Sequence, residues 1–179
     1  NADGSVRVLA TGLSGTAYWA EINDVVYLSC GATKLQIWLD SSVTPWGIPV
    51  PATPDATATT GHLFSGLVQI CLTYTDSTGL EGGASPAVEV MIGEDGAVTI
   101  TNIPQITGYT TQLYVTEPDG TVFYHAANLA TQTAYTLNSL PQGSELTTQF
   151  LDAPPTGQHI AFLGANAYIA DYNLALDQT

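Results

Sequence analysis

The residue types that carry chemistry are few in this chain, and their spacing brings none of them together. Histidines stand at 62, 125 and 159, without the H-x-H or H-x-x-x-H pairs that zinc sites usually show. Cys30 and Cys71 make no CxxC pair. They read as two free thiols, because a disulfide framework uses more cysteines. Gly12-Leu13-Ser14-Gly15-Thr16 misses the G-x-S-x-G nucleophile elbow by one residue and lies in a loop. Neither a P-loop nor a dinucleotide fingerprint is present. Asp95-Gly96 and Asp119-Gly120 resemble ion ligands but are explained as hairpin turns, and no EF-hand spacing surrounds them. No acid sits in the aromatic cluster that would mark a glycosidase pair. The expectation is a protein that is not an enzyme, with no catalytic residue, cofactor or metal.

Trp19, Trp38 and Trp46 could form a sugar platform. Trp19 and Trp38 fall within strands, where burial is expected. Trp46 lies in a proline-rich stretch and is the one candidate for ligand or partner contact, with packing between domains as its competing role.

The elements that would position these residues are strands. Ala17 to Ile22, Val25 to Ser29 and Leu35 to Trp38 make a meander, with Asn23-Asp24 as a two-residue hairpin turn. Further on, Val68, Ile70, Leu72 and Tyr74 alternate with Gln69, Cys71, Thr73 and Thr75, so Cys71 points away from the apolar face. Strands follow at Val88 to Ile92, Val98 to Thr101, Leu113 to Thr116, Thr121 to Ala126 and Ala134 to Leu137. Their spacing, with turn signals between, is that of a β-sandwich. A last hairpin joins Ile160 to Leu163 and Ala167 to Ala170 and echoes the first. Two similar hairpins flanking a sandwich suggest a domain inserted into a repeat architecture such as a propeller. Asn1-Ala2-Asp3-Gly4-Ser5 reads as a hairpin turn leading into a strand at 6–10, so residue 1 is not expected to be a native start. Pro45, Pro49, Pro51 and Pro54 exclude helix and central strand, which makes 45–61 the expected linker. The expected domains are 1–44 (meander), 45–61 (linker), 62–150 (sandwich) and 151–179 (a return segment and hairpin pairing with the N-terminal part).

Composition supports folding. Hydrophobic residues make up 45% of the 179, too many for a disordered acidic chain. Charge is one-sided, with 16 acids against Arg7 and Lys34 and a formal net charge of −14. Such a surface repels phosphate backbones and anionic membranes, so neither specific nucleic-acid binding nor membrane association is expected. It favours cationic partners or metal ions at long range.

Two sets of residues carry a family resemblance. Leu72-Thr73-Tyr74-Thr75-Asp76-Ser77-Thr78-Gly79-Leu80-Glu81-Gly82-Gly83-Ala84-Ser85 resembles the V-T-Y-x-D-x-x-G-x-E-S-x-x-S strand and loop of fibronectin type III-like modules in phage structural proteins. Ala134-Tyr135-Thr136-Leu137-Asn138-Ser139-Leu140-Pro141 looks like the fibronectin E–F corner, with Pro141-Gln142-Gly143 replacing the usual Pro-Gly. Segment order departs from the ordinary fibronectin sequence. Residues 1–5, Trp46-Gly47-Ile48 and 149–158 are similar to phage and prophage proteins in which a propeller-like chain carries an inserted sandwich. The resemblance implies an all-β fold, a fibronectin III-like sandwich flanked by β-hairpins of a partial propeller-like blade. It implies a virion structural protein of the tail, of nozzle or tail-hub type, assembled in the bacterial cytoplasm. Its partners would be other tail proteins and copies of itself in a homo-oligomeric ring, with DNA passing nearby. The alternative is a carbohydrate- or host-receptor-binding module of a tail fibre or surface protein.

Overall fold

Alternating apolar and polar residues, tight turns at Asn and Asp, and prolines between them favour strands over helices throughout. The computed structural model describes residues 6–31, 33–63, 65–152, 157, 159–164 and 166–170. Among them all regular structure is β, in antiparallel sheets, and no sheet closes into a barrel. The chain divides into a contiguous unit, 48–153, and a discontinuous one made of 1–47 and 154–179.

The discontinuous unit opens with β1 (Ala17–Ile22), β2 (Val25–Cys30), β3 (Thr33–Ile37) and β4 (Val43–Pro45), a meander whose strands lie in sequence order. Asn23 and Asp24 both hold positive φ, 51° and 63°. That is the turn geometry whose twist matches flanking strands. Residues 6–10, expected as a strand, have no regular structure and are largely exposed. Val6, Val8 and Ala10 alternate, but alternation holds a strand only where a neighbour accepts its ladder.

In the contiguous unit, β5 (Asp55–Leu63), β6 (Gly66–Asp76), β7 (Val88–Ile92), β8 (Gly96–Thr101), β9 (Tyr109–Thr116), β10 (Phe123–Asn128) and β11 (Tyr135–Leu137) build two sheets. Their orders are β10-β9-β6-β7 and β11-β8-β5. Val68, Ile70 and Leu72 of β6, Val90 and Ile92 of β7 and Leu113 and Val115 of β9 meet Val98 and Ile100 of β8 in one buried core. Each such side chain contributes about 1.5–3 kcal/mol relative to exposure. This is the sandwich that the strand spacing predicts.

Within the linker expected at 45–61, residues 46–54 carry no strand, whereas Pro45 and the residues from Asp55 onward belong to strands. Pro45 closes β4, opposite Leu35, on the outer edge of its sheet, where a missing N–H breaks no ladder. The prolines end at Pro54, and Asp55–Leu63 then pairs with β8 as an edge strand. Its run of Ala and Thr resembles a flexible spacer in composition, yet Thr suits a half-exposed pleat. The chain closes with β12 (His159–Leu163) and β13 (Asn166–Ala170), a separate two-stranded hairpin. It joins the meander through side-chain faces. Tyr18 meets His159 edge-on at 4.6 Å between ring centroids, Tyr27 meets Phe162 at 5.0 Å, and Ser29 Oγ donates to the Gly157 carbonyl at 2.6 Å. The turn read at 1–5, residues 153–156, 158 and 171–179 of the expected return segment, and residue 165 of the last hairpin turn lie outside the described residues.

Candidate functional site

β6 is buried on both sides, and its two faces do different things. The inner face supplies the sandwich core. The outer face gathers the polar and reactive side chains of the contiguous unit. Register places Cys71 opposite Tyr114 and Thr73 opposite Gln112, while His125 on β10 faces Tyr114 from the other side. Over Cys71 lies a second, smaller cluster with Tyr114, Phe123 and Leu146.

The loop after β6 folds back over this face. Asp76 begins it, its carboxylate accepting from Thr78 N at 2.8 Å, Thr78 Oγ1 at 2.7 Å and Leu80 N at 3.0 Å. Gly79 holds φ of 86°, where a side chain would be strained. Glu81 then reaches the sheet. Thr73 Oγ1 donates to its Oε1 at 2.5 Å and the Tyr114 hydroxyl to its Oε2 at 3.2 Å. Ser85 Oγ accepts from Leu72 N at 3.0 Å. His125 Nε2 and Gln112 Oε1 lie 2.8 Å apart, and the His125 ring meets Tyr114 edge-on at 5.3 Å.

Electrostatics show what this cluster can do. Burial, reinforced by the Glu81 carboxylate, pushes the Cys71 thiol up to about 12. Burial and then the hydrogen bond to Glu81 push the Tyr114 phenol up as well. A nucleophilic thiolate needs the opposite environment, a nearby cation and some exposure. The arrangement holds protons in place and ties the loop to the sheet. Within residues 72–85, Thr73, Asp76, Thr78, Glu81 and Ser85 all serve in building this loop.

The histidines are not brought together. His62 is exposed on β5, His125 lies on β10 in the other sheet, and His159 belongs to the discontinuous unit. Among the described residues no group of three or more His, Cys, Asp or Glu is arranged to hold a metal ion. Asp95 and Asp119 sit in their turns with positive φ, and Asp119 Oδ1 also accepts from Leu67 N at 3.0 Å. Cys30 and Cys71 are free and buried. The Cys30 thiol donates to the carbonyls of Ser14 and Gly15, so the near-elbow loop is a lid on β2.

The tryptophans depart from expectation. Trp19 is 65% exposed and Trp38 43% exposed, where burial within strands was expected. β1 is the edge of its sheet and Trp19 lies on the face away from the closing hairpin, while Trp38 opens the β3–β4 turn and donates from Nε1 to Thr44 Oγ1 at 3.1 Å. Trp46 is half-buried, edge-on to Tyr27 at 5.1 Å. Sequence reasoning missed the Glu81, Thr73, Tyr114 and His125 cluster. Its only local signal was a glutamate two residues after the loop glycine.

No family of known proteins matches the chain, and no curated protein does.

Proposed function

We propose that the chain is a structural part of a bacteriophage virion, a tail component of nozzle or tail-hub type in a homo-oligomeric ring. It acts without catalysis. One observation carries the reading: a folded β-unit of residues 48–153 with ten acids and no Lys or Arg interrupts a second β-unit. A propeller-like blade carrying an inserted, fibronectin III-like sandwich has this layout. An all-anionic wall gives passing DNA no phosphate contact, because each contact needs a cation. Sedimentation and negative-stain microscopy across a salt and Mg²⁺ series test the reading. Rings that form as charge is screened support it. A monomer under every condition overturns it.

A second reading is favoured by the exposed indoles of Trp19 and Trp38. Aromatic faces open to solvent suit a carbohydrate- or receptor-binding module. Glycan-array screening separates the two, since saccharide-specific binding lost in Trp19→Ala or Trp38→Ala belongs to this reading alone.

A further inference from the structure

On the outer face of the four-stranded sheet, above the buried side chains of Cys71 and Phe123, lies an open groove of about 360 Å³. Cys71 and Phe123 form its floor, and Val50, Ala84, Pro86 and Phe150 its apolar walls. Asp152 stands on its rim. Phe150 is 87% exposed. Its backbone is held: Leu151 N donates to the Thr148 carbonyl at 3.0 Å, and the Leu151 carbonyl is pressed against Gly83. A large aromatic held in the open beside an apolar groove can cover whatever enters it.

We propose that this groove docks a basic segment of a partner protein through one apolar side chain, with Phe150 closing over it. Charge selects the occupant. The unit around the groove carries ten acids and no Lys or Arg. Glu145 bridges to Tyr124 beside Phe123, and Glu89 stands two residues beyond Ala87. A second copy of this chain offers only Arg7 and Lys34 and so has no basic segment to place here. A segment with Lys or Arg flanking its anchor gains attraction where the groove alone gives only apolar contact. The inference does not depend on the virion reading.

The 179-residue chain is titrated with two blocked, dye-labelled peptides, Lys-Lys-Phe-Lys-Lys and Lys-Lys-Gly-Lys-Lys, by fluorescence anisotropy at low and physiological salt. The Phe peptide is expected to bind at least about tenfold more tightly than the Gly peptide, as an anchor residue requires. Both should weaken with salt. Ala87→Trp, which fills the groove from an exposed position, should abolish the preference, and Phe150→Ala should reduce it, with circular dichroism unchanged. Equal binding of the two peptides, no binding of either, or a preference that survives Ala87→Trp in a folded protein overturns the proposal.

Discussion

Two adjacent glycines, Gly82 and Gly83, sit tightly against residues near the ends of the contiguous unit. A Cβ on Gly83 would fall 1.6 Å from the Leu151 carbonyl oxygen, and one on Gly82 would fall 2.6 Å from Ile48 Cγ2. The first obstacle is backbone, which cannot swing aside. Gly83→Ala should therefore cost about 1–3 kcal/mol, the range for overpacking. Gly93→Ala, with nothing within 4 Å and no positive φ, should stay within about 0.5 kcal/mol. Urea unfolding of both variants checks the contrast. The thiols offer a second test at this scale. Both are buried, so Ellman's reagent should titrate neither in the native protein and both in urea. Cys71 keeps its proton in the fold to about 12 and releases it in the unfolded chain near 9, so its contribution to stability is intact below 9 and falls as pH rises from there. A urea midpoint that declines above pH 9, and declines less in Cys71→Ala, is the expected result.

The loop between β6 and β7 shows how far sequence alone reaches for an element. The Asp76 carboxyl lies below the usual range, first through the Thr78 hydroxyl and then through backbone N–H groups, although it is nearly exposed. A lowered folded value means stability that is present above the ordinary carboxyl range and is lost as pH falls through the folded value. Asp76→Asn should thus destabilise at neutral pH, and its gap from the parent should close in acid, as urea midpoints from neutral pH downward will show. Turns such as Asn23-Asp24 were legible because two positive φ values are a local demand met by local residues. Most strands were legible because alternation is local too. β5 was not, because its small polar residues carry no core signal and only its ladder with β8 makes it a strand. The Glu81 cluster was invisible for a similar reason. Thr73, Glu81, Tyr114 and His125 come from three strands and a loop, and only register across β6, β9 and β10 makes them neighbours. The exposure of Trp19 follows from β1 being an edge, and strand order is equally non-local.

At the scale of the whole chain the two units are unequal. Both apolar clusters lie within 48–153, whereas in the meander only Val25, Ser29 and Cys30 are buried among the described strand residues. The contiguous unit should therefore fold on its own core. The discontinuous one must close its hairpin onto its meander across the whole intervening segment, which in an unfolded chain is a costly loop. Folding of the contiguous unit shortens that loop, because Ile48 and Leu151, next to its two ends, rest on the adjacent glycines 82 and 83. Stability should then be hierarchical, with the discontinuous unit opening first. The sequence supplies a clean probe, since Trp19, Trp38 and Trp46 all belong to the discontinuous unit and the contiguous unit has no tryptophan. Tryptophan fluorescence should change at lower urea than far-ultraviolet circular dichroism, which is dominated by the larger sandwich. The excised fragment 48–153 should retain the later transition. Gly83→Ala, by loosening the seat of Leu151, should move both transitions to lower urea. Coincident transitions for the two probes in the parent chain would show a single cooperative body and rule the hierarchy out.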